Sequence, residues 1–302
     1  MIKKYSFATD EDKVYQLYDK VIGNKWPIGK EPFYDVLVHE PPAQSVFSFI
    51  SVSQGKVNGF VSTQIMNKRG SIVLLLFEPK HERIGEKLLE KAMEHFRKNE
   101  VTNVQLGAGT HTSFWPGVPT NLPHLVSFFE QRDWQFSENS VDMVRDIGNY
   151  TTPKEVYERI ASMEVTLQFL KENEIEKLLA FEHQNFPRWE RYFSETLEKQ
   201  KLNEILVAKT KDNEIVGSLL VRKQNVMWTK LLGVNIGTIG VLGVAESMRG
   251  KGIGLALAAR ATEVLKEQHV QTCYLSWTWL TDWYGKLGYT VWREYKMSWK
   301  EL

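Results

Sequence analysis

The chain has 302 residues, 42% of them hydrophobic and 25% charged, with a net charge of +1. That length suits two domains, each able to bury its own core, and so even a charge balance argues against a nucleic-acid binder that works by neutralising phosphates. A single cysteine, Cys273, excludes an internal disulfide and a cysteine-based zinc cluster. The opening stretch MIKKYSFATDEDK has no long apolar run after its lysines, so no secretory signal is expected. No window reaches the roughly 18 uninterrupted apolar residues of a membrane span, and a cytoplasmic protein is the default expectation.

In chain order, DEDKVYQLYDKVI (10–22) has the apolar spacing of a helix. SVFSFISV and VNGFVSTQI flank the turn SQGK (53–56) and read as a hairpin. SIVLLLF (71–77) reads as a buried strand and IGEKLLEKAMEHFRKN (84–99) as an amphipathic helix. VTNVQLGAG is a further strand, LVSFFEQRDW (125–134) a short helix, and SVDMVRDI a strand. After GNYTTPKEVYERIASM (148–163), a linker with a small helix from Pro153, the same order returns. EIEKLLAFEHQNF (174–186) is helical, and EILVAKT and IVGSLLVRK form a hairpin around KDNE (211–214). TIGVLGV (238–244) is a strand, LALAARATEVLKEQ (255–268) a helix, QTCYLSWT a strand, LTDWYGKLGY a short helix and TVWREYKMSW a last strand. Two mixed α/β domains of one plan are expected, 1–149 and 150–302.

Between the strand TIGVLGV and its following helix lies RGKGIG (249–254). A strand that ends in a glycine-rich turn and opens a helix aims backbone N–H groups and the positive end of a helix dipole at one point. Its glycines admit a bulky anion, and Arg249 and Lys251 add charge, so phosphate or pyrophosphate is the natural guest. The spacing matches neither a P-loop nor a dinucleotide fingerprint. It fits [Q/R]-x-x-G-x-[G/A] through Arg249, Gly252 and Gly254, and WYGKLGY (283–289) follows downstream.

In both motifs the chain resembles the GNAT superfamily of N-acetyltransferases, whose second motif is similar to FYEKLGF. The resemblance implies acetyl-CoA as the acyl donor, with its pyrophosphate on Arg249 to Leu255 and its pantetheine between the splayed strands TIGVLGV and CYLSWT. The backbone around Val244, Leu242 included, would meet pantetheine and the acetyl carbonyl. It also implies that Tyr284 gives a proton to the departing sulfur, since a phenol stays protonated at neutral pH. For the base that takes the amine's proton, Glu246 is the first candidate and Glu182 and His183 are others. Trp277 stands where the family often has Asn; with Trp279 and Trp283 it forms an aromatic acceptor wall or part of the core. The implied reaction is direct acetyl transfer to the primary amine of a small molecule; no metal, membrane or nucleic acid is expected, and the oligomeric state, a monomer among the options, is left open. A non-catalytic acyl-CoA-binding or sensor protein is the alternative.

The first half has the same device without its working parts. Lys80, His81, Glu82 and Arg83 stand in place of Arg249 to Gly252, Phe129 in place of Tyr284, and Asp133 in place of Gly288. This half is expected to bind no acetyl-CoA, and to shape the acceptor site or serve as a structural partner. Its insertion GAGTHTSFWPGVPTNLP (107–123) is stiffened by Pro116 and Pro119. It is expected to present Trp115 to the acceptor pocket, with a buried plug as the alternative.

Overall fold

The computed structural model describes residues 1–38, 45–107, 114–223 and 227–302. Residues 108–113 of the insertion lie outside the described residues. The chain forms two compact units, and neither is continuous in sequence. The first comprises Met1–Val141, Val226–Leu232 and Arg293–Leu302; the second comprises Asp142–Asn225 and Gly233–Trp292. The expected boundary near residue 149 followed sequence order, whereas the last ten residues and a short piece near 230 return to the first unit.

The chain begins with β1 (Ile2–Lys4), α1 (Phe7–Tyr18), α2 (Lys30–Val38), β2 (Ser45–Ser53), β3 (Lys56–Met66), β4 (Arg69–Phe77) and α3 (Glu82–Lys98). Then come β5 (Asn103–Leu106), β6 (Val118–Pro119), α4 (Pro123–Glu130) and β7 (Glu138–Asp146). The sheet of the first unit runs β1-β2-β3-β4-β5 and is closed by β14 (Trp299–Glu301). All its pairs are antiparallel except β4 and β5. The β2–β3 turn uses Gln54 and Gly55 at φ of 48° and 75°, the left-handed pair that a tight hairpin requires. Helix α3 covers β3 and β4 with Leu88, Leu89, Ala92 and Phe96, the apolar stripe that its sequence spacing predicts.

The second part of the chain carries α5 (Lys154–Ala161), β8 (Thr166–Phe169), α6 (Ile175–Asn185), α7 (Glu190–Glu198), β9 (Ile205–Lys209), β10 (Ile215–Lys223) and α8 (Thr229–Leu232). After these come β11 (Ile236–Val244), α9 (Ile253–Glu267), β12 (Thr272–Thr278), α10 (Thr281–Gly285) and β13 (Thr290–Met297). The second unit's sheet runs β8-β9-β10-β11-β12, antiparallel up to β11 and parallel between β11 and β12. Helix α9 lies on one face. On the other, α6 and α7 bury Leu178, Phe181 and Phe193 against Ile205, Val207 and Leu220. The segment read as one last strand is two, β13 and β14, broken at Ser298. The Ser298 hydroxyl donates to the Gln135 carbonyl, and its own carbonyl accepts from the Leu106 N–H, 3.1 Å away.

The insertion departs from its expected role. Trp115 is buried at 3% exposure, packed edge-to-face on Trp26 at 5.2 Å and stacked with Phe114 at 4.7 Å. Both neighbours belong to the first unit. From Trp115 to Pro119 the chain fills the seam between β4 and β5, and the Gln105 side chain donates to the Pro116 carbonyl at 3.1 Å. The approach is so close that a Cβ on Gly107 (φ 78°) would lie 2.7 Å from the Gly117 nitrogen and the Trp115 carbonyl. Trp115 is therefore a plug, not the wall of an acceptor pocket. Trp115→Ala should cost about 3–5 kcal/mol of stability and lower the melting temperature, while calorimetry shows acetyl-CoA affinity unchanged. A melting temperature equal to the wild type's would contradict the plug.

Candidate active site

In the second unit β11 and β12 pair only from Ile236↔Thr272 to Thr238↔Tyr274. Beyond that the two parallel strands separate. Two backbone irregularities accompany the split. On β11, Gly240 pairs with Leu220 and Gly243 with Ser218, so β11 spends three steps where β10 spends two. The extra residue is accommodated at Val241, whose φ of 52° is rare for a β-branched side chain. On β12, Trp277 has a φ of 53°, and its N–H donates to the Asp142 carboxylate at 3.0 Å. The same buried carboxylate accepts from the Tyr274 hydroxyl at 2.8 Å. Each strand therefore bends where the cleft opens.

At the end of β11 the loop Arg249–Gly254 leads into α9. Gly250 and Gly252 have φ of 75° and 98°, and Gly252 caps the helix. Only glycine takes these angles without strain. A Cβ on Gly250 would meet open space, and one on Gly254 would meet Trp283, Leu242 and Val244 at 3.3–3.4 Å. The first N–H groups of α9, from Ile253 on, have no partner within the helix and face this loop. The Arg249 Nε donates to the Val244 carbonyl at 3.0 Å, which ties the loop to the strand end. Val244 itself stays in register with Gly217, so the irregularity sits earlier, at Val241 and Leu242. Sequence reasoning missed a further cation: Arg159 of α5 donates to the Gly250 carbonyl at 2.6 Å and lies against Gly252. It precedes the loop by some 90 residues, and no motif marks it.

The faces of the sheet sort the titratable groups. Gly217 faces Leu257 of α9, so the next residue, Ser218, points the other way and donates to the Glu182 carboxylate of α6. Gly237 faces Leu265 of α9, and Cys273 lies beside it in register. Tyr284 sits near Cys273, hence on the α9 side. Burial, with a smaller push from Cys273, raises the Tyr284 phenol to about 12, and its hydroxyl makes no hydrogen bond among the described residues. Burial likewise lifts the Glu182 carboxyl, to about 7, against the Ser218 hydrogen bond and with a push from Glu190. The other candidate bases are exposed: Glu246 on a single 3-10 turn, and His183 paired with Glu190 at 3.0 Å. The three tryptophans separate. Trp277 and Trp279 are 42% and 49% exposed at the end of β12, while Trp283 packs over the start of α9 beside Tyr284.

In the first unit the corresponding parts are closed. Helix α3 starts at Glu82, and Arg132 pairs with Glu82 at 3.7 Å and with Glu86. Phe129 is buried, and Asp133 at φ 59° keeps the left-handed turn that Gly288 makes at 77°.

Residues 170–289 match the acetyltransferase (GNAT) family. This part of the second unit is similar to a GNAT domain. Among solved structures, the chain is 28% identical to a GCN5-related glucosamine N-acetyltransferase region within a fungal multi-domain GH3 β-N-acetylglucosaminidase. That likeness has a TM-score of 0.91 and covers 99% of this chain but only 38% of the fungal one. A GCN5-related N-acetyltransferase from Sphaerobacter thermophilus shares the fold at 17% identity and a TM-score of 0.74, over 100% of this chain and 95% of its own. A tandem GNAT protein from the clavulanic acid biosynthesis pathway does so at 15% and 0.69, over 100% and 98%. A comparison with curated protein sequences returned no match. The whole chain thus has a tandem GNAT fold, and the family's donor is acetyl-CoA. Titration calorimetry should give one acetyl-CoA per chain. Gly252→Glu should weaken binding at least about 100-fold, since it forces a side chain into a left-handed cap and adds charge where an anion belongs. Two equivalent sites, or full affinity in the variant, would refute that assignment.

Proposed function

We propose that the protein transfers the acetyl group of acetyl-CoA to the primary amine of an amino sugar of the glucosamine type. The observation that carries this reading is the second unit's intact constellation of glycine loop, strand bulge and unpartnered buried Tyr284. The likeness to the fungal glucosamine N-acetyltransferase region, which runs over almost the whole chain, supports the acceptor class. So do the exposed faces of Trp277 and Trp279, because a pyranose ring presents an apolar face that stacks on an indole.

In this reading pyrophosphate rests on the N–H groups at the start of α9, with Arg249, Lys251 and Arg159 nearby. Pantetheine enters the cleft between β11 and β12. The amine attacks the thioester carbon, and negative charge develops on the carbonyl oxygen. A backbone N–H freed from the ladder at Val241 or Leu242 stabilises that charge. As the carbon–sulfur bond breaks, the sulfur takes a proton from Tyr284. The raised phenol keeps its proton at neutral pH, and the departing thiolate, desolvated in the same cleft, is made a better acceptor by the same effect. Tyr284→Phe should lower kcat with glucosamine by about 10²–10⁴-fold and leave the calorimetric Kd for acetyl-CoA near the wild-type value. The readout is thiol release. Acetyl-CoA binding without turnover on any amine would make the chain an acyl-CoA-binding protein instead.

A further inference from the structure

Glu182 is a carboxyl held where burial opposes its charge. It is fully buried on α6, and one oxygen accepts the Ser218 hydroxyl. Its other oxygen, Oε2, is buried with no hydrogen-bond partner among the described residues. A carboxyl in that state carries the full cost of desolvation unless it stays protonated. Another buried acid in the same unit shows the usual remedy. Burial opposes the ionisation of Glu174 too, but the Lys209 ammonium and the Lys171 N–H hold its carboxyl below the ordinary range. Among the described residues no cation does this for Glu182. Of the charges around it, Glu190 of α7 repels it, and His183 pairs with Glu190. Arg249 approaches only as far as the Phe186 ring, at 5.9 Å.

The place of this anomaly gives it a use. Ser218 pairs with Gly243 across the ladder, beside the bulge at Val241 and Leu242. The Glu182 carboxyl therefore lies over the bulge, on the face of the sheet opposite α9 and Tyr284. Phe186 covers Gly243 so closely that a side chain there could not fit, and Trp189, 37% exposed, stacks on Phe186 at 5.0 Å. On this side, an aromatic surface and one buried, unpartnered carboxyl oxygen lie together beside the bulge.

Resting on the acetyl-transfer reading, we propose that Glu182 is the proton acceptor for the attacking amine and that Ser218 is its positioning residue. The acceptor nitrogen arrives as an ammonium. One proton passes to the Glu182 carboxylate, and the nitrogen forms its bond to the acetyl carbon. The carbon–sulfur bond breaks, and the sulfur leaves with the Tyr284 proton. The nitrogen's second proton restores Tyr284, and Glu182 releases its own to water after the product leaves. The sum is an amide, a thiol and one proton.

The test is the pH profile of kcat/KM with acetyl-CoA and glucosamine, read by thiol release for wild type, Glu182→Gln and Ser218→Ala. A carboxyl raised towards neutrality makes the wild-type rate climb with pH through that range, as the base ionises. Glu182→Gln preserves size and a partner for Ser218, and should lower kcat/KM by about 10²–10⁴-fold and remove that limb of the profile. The calorimetric Kd for acetyl-CoA and the circular dichroism spectrum should not change. Ser218→Ala removes a hydrogen bond that favours the ionised form, so its limb should move to higher pH, which a merely structural contact would not cause. Wild-type transfer with an unaltered Glu182→Gln profile overturns this inference alone. An absence of transfer by the wild type to any amine overturns the acetyl-transfer reading, and the proton acceptor with it.

Discussion

The second unit is organised around a failure of strand pairing. β11 and β12 begin as hydrogen-bonded parallel neighbours and are released after Thr238 and Tyr274. Unpaired backbone groups inside a protein are costly, so such a split persists only where other groups take over. Asp142 does this for β12: its carboxylate takes the Trp277 N–H and holds the strand at an angle that its own sheet would not impose. On β11, the surplus residue at Val241 bends the strand away. An extended ligand with amide groups of its own can occupy the opening as a strand would. The glycine loop, α9 and α10 all gather at its mouth.

In the first unit the corresponding seam is occupied by the chain itself. Its β4 and β5 also begin as parallel neighbours, and its β3–β4 ladder slips between Ser62 and Thr63 much as the β10–β11 ladder does. Here the chain supplies its own filler. Trp115 to Pro119 lie in the seam, and Val118 and Pro119 pair with Lys296 and Tyr295 of β13. The helix start that would meet phosphate carries Glu82, bound to Arg132, and that guanidinium stacks on Phe128 at 3.8 Å. An anion would have to break the ion pair and face the carboxylate. Shared architecture therefore says little about shared binding; the occupant of the seam decides it.

In the second unit burial disfavours the charged forms of two titratable groups. Tyr284 has its proton held on, and Glu182 is poised to keep or lose its proton near neutrality. They lie on opposite faces of one sheet, separated by the strand that carries the bulge. A proton given on one side and taken on the other suits a reaction in which the nucleophile and the leaving group approach one carbon from different directions. Desolvation raises both groups, yet it makes one a firmer acid reservoir and the other a stronger base, because the starting values of phenol and carboxyl differ.

The sequence by itself determined the duplicated order of elements, because helices and strands write their periods into the chain. It also located the glycine loop that opens α9, since glycine takes the backbone angles at Gly250 and Gly252 without strain. The altered chemistry of the first half was legible too: Glu82, Arg83 and Phe129 stand at the aligned positions. Other features depended on contacts between residues far apart in the chain. No local signal marks Arg159 beside Gly250, or Asp142 beneath Trp277. Among the candidate bases, sequence reasoning put Glu246 before His183 and Glu182. Burial sets Glu182 apart from the other two, because taking water from a carboxyl raises its proton affinity. Trp115 could have been a wall or a plug, and the packing of its ring on Trp26 decided which. The return of the last ten residues to the first unit was equally hidden. A strand's sequence fixes which of its faces is apolar, but the sheet edge it joins is set by which edge is left open in the folded chain.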